Sequence, residues 1–378
     1  MAYLNEDLVA VRDQTRRFVE EEVVPDGELW EEAEMIPRDL LRRMGDIGFF
    51  GLRVPEEHGG VGLGPLASVV FAEELGRSTF GGFAITVLAH TDLATPYLTH
   101  YGSDDQKRRW MPGVVSGETI TAIAVTEPDA GSDVAAIRTA ARRDGDGYRL
   151  RGSKMFITNG AHAHLVLVAA RTDQDAKSSQ GISIFAVERG GEGFGVGRSL
   201  KKMGWRSSDT AELVFDDCWV PAEHLIGEEN RGFYQIMHNF QNERLVLGAM
   251  AMGEAQRAIE LTIAYTRERK AFGSSLYQKQ AVRQRLAMLQ ARVEAGRQLV
   301  YRAAWLMDQG ADSVREVSMV KAYCGELVNE VLAACVQFHG GMGIIQETAI
   351  ERMYRDARVH SIGGGATEVM LEEIAKRS

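Results

Sequence analysis

Hydrophobic residues recur at a helical period near both ends of this 378-residue chain and in short, strand-like runs in its middle. Near the start, Leu4, Leu8 and Val11 follow the spacing of an amphipathic helix. From about residue 118 the runs are short and rich in β-branched and aromatic residues, and long helical stretches return from about residue 228. This order, without βαβ alternation, predicts an α+β chain: an N-terminal helical domain (1–117), an antiparallel β domain (118–227) and a C-terminal four-helix bundle (228–378).

Glycine and proline mark the breaks in these patterns. The segment FFGLRVPEEHGGVGLGP, which begins at residue 49, is rich in both and predicts a long loop. The residues at 143–147 supply hairpin-turn chemistry between two expected strands. Strands are expected at 120–125, 148–150, 165–169, 182–187 and 213–215, and the C-terminal helices at 232–267, 280–309, 312–339 and 347–358.

The composition excludes several classes of protein. Hydrophobic residues make up 45% of the chain and charged residues 25%, close to the globular average, so a disordered, collagen-like or disulfide-dense chain is excluded. The three cysteines, Cys218, Cys324 and Cys335, form no C-x-x-C pair. The sequence therefore predicts neither a disulfide framework nor a bound metal, and it favours a reducing compartment.

The charge argues against a polyanionic partner. The formal net charge is −10, and the basic runs, such as Arg142–Arg143, are short, so we expect no nucleic acid to bind. No apolar run approaches the roughly 20 residues needed to cross a bilayer, and the first 25 residues contain no signal-peptide core. We therefore expect a cytoplasmic protein without a membrane span.

Two polar blocks lie in the β region. AVTEPDAGSD (124–133) follows an expected strand, where Thr126, Ser132 and the amides near Gly131 offer donors for a polar or anionic ligand. GSKMFITNG (152–160) offers the ring of Phe156 and the hydroxyl of Thr158. Taken singly, the first block is typical of a plain turn and the second of a strand that ends in an Asn-Gly turn.

Two further blocks end helices in the C-terminal region. YTRERKAFG (265–273) is typical of a solvated helix end, or it supplies an arginine that grips phosphate. QFHGGMG (337–343) is typical of a glycine C-cap. What changes these interpretations is that all four blocks occur together, in order, with RDARVHSIGGGATEVM (355–370) after them.

With these five blocks the sequence resembles the acyl-CoA dehydrogenase family over essentially its whole length. The resemblance implies FAD between the β and C-terminal domains and a homotetramer built as a dimer of dimers. It also implies α,β-dehydrogenation of an acyl-CoA thioester to the trans-2-enoyl-CoA, with the β-hydride moving to the flavin. Electrons would then leave to an electron-transferring flavoprotein.

The resemblance also assigns cofactor contacts. One set matches residues against the flavin ring and pyrophosphate, and a second matches residues that reach the FAD of a neighbouring subunit, among which Gln280 is the weaker match. Thr367 and Glu368 stand where the family's C-terminal segment meets FAD. The first set is Ile123, Val125, Thr126, Gly131, Ser132, Phe156 and Thr158, and the second is Arg269, Phe272, Gln280, Gln337, Gly340 and Gly341.

The catalytic base departs from the commonest family pattern. Many members place a glutamate in a Tyr-Glu-Gly-Thr segment near the C-terminus, and here Gly364 stands at that position. A subgroup that resembles the long-chain and isovaleryl-CoA dehydrogenases places it on an earlier helix, just before an arginine. FQNERLVLG (240–248) matches that pattern, so the resemblance implies that Glu243 is the base. Taken alone, Glu243 would be an exposed helix charge.

The resemblance implies substrate contacts as well. Gly364 keeps the backbone N–H that the family aims at the thioester carbonyl. For Arg244 a structural salt bridge and a substrate contact both stay open, and the ending resembles citronellyl-CoA dehydrogenases, which keeps a branched acyl group among the options. The substrate-side residues are Ala94, Leu98, Ser132, Gln241, Asn242, Arg244, Gly364 and Gly365.

Two other functions stay open at this point. One is an acyl-CoA oxidase-like enzyme that passes its electrons to oxygen. The other is a catalytically silent FAD-binding subunit that supports a partner chain, which the missing glutamate at residue 364 favours and Glu243 opposes.

Overall fold

The computed structural model describes residues 3–177 and 179–378, with a helical region, a β region and a second helical region in the predicted order. The Gly- and Pro-rich segment before α4 forms the predicted loop, with 3-10 turns at Phe49–Gly51 and Glu56–His58. Two helices continue into π-helical turns, Val19–Val23 and Ala89–Ala94. The N-terminal helices are α1 (Glu6–Phe18), α2 (Gly27–Ala33), α3 (Arg38–Asp46), α4 (Pro65–Gly76), α5 (Gly81–Leu88), α6 (Thr95–Tyr101) and α7 (Asp104–Ser116).

Local chemistry explains where α7 begins and ends. Ser103 and Gln106 form a capping box that satisfies the first backbone N–H groups, and Asp104 adds negative charge at the positive end of the helix dipole. Gly117, in the left-handed conformation, ends the helix. The chain then enters the β region directly.

One sheet of eight strands forms the β region, in the order β6-β7-β3-β2-β4-β5-β8, with β1 paired to β4. The expected hairpin is present, because β2 and β3 pair antiparallel on either side of the turn at 145–146. The strands are β1 (Thr121–Ala124), β2 (Ala140–Asp144), β3 (Gly147–Thr158), β4 (Leu165–Arg171), β5 (Ile182–Glu188), β6 (Phe194–Ser199), β7 (Thr210–Pro221) and β8 (Leu225–Ile226).

The sheet is mixed, where the sequence analysis expected antiparallel strands throughout. β1 runs parallel to β4 from Thr121 to Ala124, and Ala140 of β2 pairs parallel with Arg171. Residues 125–139 join β1 to β2 without a hairpin, and both strands lie on the edge of β4 opposite β5, running in the direction of β4.

The C-terminal region is a helix bundle. α8, α9 and α10 pack against one another, and α11 and α12 both pack on α10. The helix expected at 347–358 is α11, whereas α12 is absent from the sequence-based prediction because the glycine run at 363–365 breaks the helical pattern. The elements of the C-terminal region are α8 (Gly232–Glu268), the hairpin β9 (Lys270–Ala271) and β10 (Ser274–Ser275), α9 (Gln280–Asp308), α10 (Val314–His339), α11 (Ala349–Ala357) and α12 (Thr367–Ala375).

Helix α4 joins the two helical regions by lying directly on α8. A Cβ at Gly253 would come within 1.9 Å of the Glu73 carbonyl oxygen, and one at Gly76 within 2.3 Å of the Met250 carbonyl oxygen. Glycine at both positions is therefore needed for this close helix crossing. The crossing fixes α8 relative to the N-terminal helices.

All three regions meet in one apolar cluster. Leu98 from α6, Val125 from the loop after β1 and Ile236 from α8 are buried together there, and Phe240 packs against them. The predicted flavin-side loop and the helix of Glu243 therefore share a packing core.

Residues 3–177 and 179–378 contain neither a membrane-spanning helix nor a metal-binding cluster. No helix in them combines the length and apolar character needed to span a bilayer. In the same ranges no group of three or more His, Cys, Asp or Glu side chains is arranged to hold a metal ion.

Candidate active site

Asparagine side chains set the rotation of α8 at the site. The Asn239 amide donates to the Leu93 carbonyl at 2.9 Å, and the Asn242 amide donates to the Asp92 carbonyl at 3.0 Å. Asn242 also accepts a hydrogen bond from Arg53. Because Asn242 is anchored toward the N-terminal helices, Glu243 projects about 100° around α8 from it.

Glu243 faces the turn at 363–365. Its Oε1 lies 3.1 Å from the position that a Cβ on Gly364 would occupy. The residue is partly accessible. Burial of the carboxyl raises its pKa to about 7, although the positive charges of Arg244 and Lys321 act to lower it. A carboxylate with a pKa near neutrality is suited to act as a general base.

Gly364 cannot be replaced without cost. Its φ is +67°, and a Cβ there would also lie 2.5 Å from Cδ1 of Leu247. Within the part of the chain that the structure describes, no acceptor takes the Gly364 N–H. The turn therefore presents a free backbone donor beside the Glu243 carboxyl.

Arg244 is a buried cation on the other side of this turn. It is 7% exposed, its guanidinium lies 5.5 Å from the Phe240 ring centroid, and its buried Nε has no hydrogen-bond partner. Burial lowers the pKa of Arg244. No carboxylate among the described residues forms an ion pair with it, so the geometry favours a ligand contact over a structural salt bridge.

The other predicted substrate-side residues are placed as follows. Gln241 is partly buried, and its amide donates to the Met237 carbonyl at 3.3 Å while its Oε1 lacks a partner. Ala94 and Leu98 are fully buried. The neighbouring residues Thr95, Thr99 and His100 line a cavity of about 40 Å³.

The two β-region blocks lie side by side. The Met155 N–H donates to the Thr126 carbonyl at 2.9 Å, which brings the loop after β1 against the end of β3. Phe156 has a φ of +61° and is 63% exposed, and Thr158 is partly buried. Ile123 is partly buried in β1, Val125 is buried, and Gly131 and Ser132 are exposed.

A buried ion pair that the sequence analysis missed shapes this loop. Lys154 donates to the Val125 carbonyl at 3.0 Å and to Glu127 at 2.8 Å. Glu127 in turn accepts the backbone N–H groups of Arg138 and Thr139. The signal available in the sequence was the lysine between β-strand residues in GSKMFITNG, where a buried position requires a partner.

The second set of predicted cofactor residues lies at the far end of the bundle. Tyr265 near the end of α8 stacks on His339 at the end of α10, with ring centroids 4.3 Å apart. This contact brings the Arg269 block and the Gln337 block to one end. Arg269 is 26 residues beyond Glu243, about 39 Å along the helix at 1.5 Å per residue, so the two residues cannot serve one flavin ring.

This end of the bundle is exposed. Phe272 is 97% exposed with a φ of +52°, and the Lys279 ammonium donates to its carbonyl at 3.2 Å. Gln280, the first residue of α9, and Arg269 are exposed as well. The two predicted cofactor residues near the C-terminus lie in the first turn of α12. The Thr367 hydroxyl donates to Glu326 at 2.9 Å, and Glu368 is exposed.

The glycines at these sites fit a bulky phosphate-bearing cofactor such as FAD. A Cβ at Gly131 or Gly341 would meet no atom within 4 Å, and neither residue has a positive φ. Glycine is therefore required there neither for packing nor for conformation, and the open backbone allows a ligand to approach closely. The exposed ring of Phe156 offers an apolar surface for a planar group.

The chain belongs to the acyl-CoA dehydrogenase family, because all three family domains match it. Residues 5–118 match the acyl-CoA dehydrogenase N-terminal domain, residues 122–218 the middle domain and residues 230–378 the C-terminal domain. The predicted family, fold and enzyme class are confirmed by these matches.

Individual relatives agree with the subgroup. The mitochondrial long-chain specific acyl-CoA dehydrogenase of Rattus norvegicus is 41% identical over 367 residues, which cover 97% of this chain and 85% of the relative. The crystal structure of an acyl-CoA dehydrogenase from Geobacillus kaustophilus superposes with a TM-score of 0.95 at 42% identity, over 99% of this chain and 98% of the other. An FAD complex of PigA superposes with a TM-score of 0.95 at 29% identity, over 99% and 98% of the two chains, in agreement with FAD as the cofactor.

Proposed function

We propose that this chain oxidises an acyl-CoA thioester to the trans-2-enoyl-CoA with bound FAD, and that Glu243 is the base. The observation that supports this is the position of Glu243 Oε1 beside Gly364, together with the pKa of about 7. The carboxylate and the free Gly364 N–H converge on one space, which is what removal of a proton next to a carbonyl requires.

The α-carbon of a thioester is a weak acid, so the site must stabilise the charge that develops when its proton is removed. The Gly364 N–H donates to the thioester oxygen, where negative charge develops as the α-proton leaves. Glu243 accepts that proton. The buried guanidinium of Arg244 adds positive charge to the turn, with its unpartnered Nε 3.4 Å from the Cβ position of Gly365.

FAD, when bound, supplies the acceptor for the β-hydrogen and its two electrons. Thr126, Phe156 and Thr158 would hold its ring system, and the loop around Gly131 and Ser132 would hold its phosphates. The Lys154–Glu127 pair keeps that loop in place from the buried side.

The acyl group extends along the α6 segment. Ala94 and Leu98 share a helix face with Tyr97, whose pKa is raised by burial and by the charge of Glu243, so this face looks toward the base. Small and apolar residues there favour a medium-to-long or branched chain.

Assembly completes the cofactor site. Because Arg269 lies about 39 Å along α8 from Glu243, we propose that Arg269, Phe272, Gln337, Gly340 and Gly341 bind the FAD of a neighbouring subunit in a homotetramer. An aromatic ring that is 97% exposed, like Phe272, is typical of an interface residue.

The electron acceptor is proposed to be an electron-transferring flavoprotein, and the cytoplasmic location stays a prediction. Oxygen is the competing acceptor. Anaerobic reduction of the bound flavin by substrate, followed by mixing with oxygen, separates them: slow reoxidation supports the dehydrogenase, and reoxidation at the turnover rate supports an oxidase.

The decisive experiment is a substrate screen with the purified protein. We expect a yellow protein with about one non-covalent FAD per chain that reduces an artificial acceptor with acyl-CoA thioesters of graded length and branching. A colourless protein that takes up no added FAD, or an FAD-bound protein that no acyl-CoA reduces, would contradict the proposal.

A further inference from the structure

A buried lysine that the sequence analysis did not single out lies behind the active-site turn. Lys321 on α10 is 2% exposed. Its ammonium donates to the His360 carbonyl at 2.5 Å and to the Gly365 carbonyl at 3.0 Å. Burying an ammonium group is costly, so a lysine at this depth calls for a specific reason.

The helical pattern makes the position of Lys321 stand out. It shares the buried stripe of α10 with Val317, Cys324 and Val328, where an apolar residue would fill the same space. Its hydrogen bonds connect α10 to one carbonyl before the glycine run and to the carbonyl of its last residue, so they tie the turn at 363–365 to the bundle.

The same lysine lies beside the proposed base. Its Cε is 3.7 Å from the Cβ position of residue 364, the point from which Glu243 Oε1 is 3.1 Å away. The ammonium and the carboxylate therefore flank Gly364 without forming an ion pair among the described residues. The other groups that act electrostatically on Glu243 are Arg244 from α8 and Tyr97 from α6.

We propose that Lys321 is a positioning residue for the reaction: it holds the turn at 363–365 so that the Gly364 N–H points at the thioester, and at neutral pH it places a positive charge behind the carboxylate of Glu243. This role rests on the proposed function, in which Glu243 is the base. Lys321 therefore has two separable effects: the hydrogen bonds of its ammonium hold the turn, and its charge acts on Glu243.

Two variants separate these effects. Lys321→Met removes both the donors and the charge, whereas Lys321→Gln removes the charge and keeps an amide donor on a side chain one bond shorter. The readout is the rate of flavin reduction by acyl-CoA in anaerobic stopped flow, measured across a pH series, with FAD content and thermal midpoint recorded for each protein. Lys376→Met, at an exposed position of the C-terminal tail, is the matched control.

We expect Lys321→Met to reduce its flavin roughly 10 to 100 times more slowly at neutral pH, because misplacing a catalytic donor is costly. Lys321→Gln should lose less of the rate. In both variants the acid limb of the flavin-reduction profile should move to higher pH by about one unit. The reason is that loss of a nearby positive charge raises the pKa of Glu243. A residue that only fills space would leave the acid limb where it is.

The outcomes are distinct. Unchanged rates and an unchanged acid limb in FAD-replete Lys321 variants, with Glu243→Gln inactive, would overturn the role of Lys321 and leave the proposed function intact. Full-speed flavin reduction in Glu243→Gln would overturn the base assignment and this role with it. A shifted acid limb in both Lys321 variants, with Lys376→Met like the parent, supports the proposal.

Discussion

A side chain on residue 364 would place its Cβ 3.1 Å from Oε1 of Glu243. The two positions where the family places its base are thus neighbours across one small space. Gly364 leaves that space to Glu243 and contributes its N–H. The vacancy at residue 364 and the glutamate at residue 243 therefore form one arrangement in the folded protein.

Replacing Glu243 with Gln should remove the base while keeping the shape of the site. General base catalysis commonly contributes about 10² to 10⁴-fold, so flavin reduction should slow at least that far while FAD and acyl-CoA still bind. Anaerobic stopped flow measures this step directly. Glu228→Gln, at an exposed position before α8, should behave like the parent. Full-speed bleaching in Glu243→Gln would remove Glu243 from the mechanism.

Moving the glutamate should restore part of the activity. In the Glu243→Gln background, Gly364→Glu returns a carboxylate to the same space, but its Cβ would lie 2.5 Å from Leu247 Cδ1 and the φ of +67° disfavours a side chain. We therefore expect a partial recovery that increases when Leu247→Ala is added. The measurement is the flavin-reduction rate of Glu243→Gln, of Glu243→Gln with Gly364→Glu, and of that double variant with Leu247→Ala added. Leu247→Ala alone is the control. Equal rates with and without Leu247→Ala would show that this contact does not limit the recovery.

Flavin reduction should depend on pH with an acid limb near pH 7. Burial raises the pKa of Glu243 to about 7, and the base works only when deprotonated, so the rate should rise as pH increases through that value and then level off. The measurement is the reduction rate at saturating acyl-CoA across a pH series. An acid limb near the ordinary glutamate pKa of about 4.3 would mean that the carboxyl is solvated in the working enzyme.

Arg269→Ala should weaken the retention of FAD. The change removes a charge-assisted contact to phosphate, a class worth about 1.5 to 3 kcal/mol, and does so far from Glu243. We expect FAD loss on gel filtration and a lower thermal midpoint that added FAD restores. Arg283→Ala, on the exposed surface of α9, is the control. FAD binding as tight as in the parent would refute the contact across subunits.

Ala94→Phe should shorten the preferred acyl chain. Ala94 is fully buried at the end of the π-helical turn before α6, on the face it shares with Tyr97 and Leu98, so a larger side chain there takes space from the substrate. Overpacking costs about 1 to 3 kcal/mol of stability, so the thermal midpoint is measured alongside the length profile. An unchanged profile in a folded variant would place the acyl pocket elsewhere.

Several features could be predicted from residue patterns because they depend on nearest neighbours in the chain. Helical spacing located α8, α9 and α10 to within two residues, and the turn residues at 145–146 located the β2–β3 hairpin. The parallel pairing of β1 with β4 could not be predicted in this way. It depends on where tertiary packing places β1 along β4, and side chains alternate with a period of two in parallel and antiparallel strands alike.

For the site, the sequence by itself predicted Glu243 as the base from its motif and from the absence of a carboxylate at residue 364. Only the tertiary structure placed these two residues 121 positions apart in the chain within one space, and only it showed that Lys321, in the middle of an apolar stripe, lies behind them. The physical reason is that burial shifts a pKa and makes an unpaired donor costly. Burial is set by the packing of α8 against α10 and the 363–365 turn, which contacts between distant segments decide.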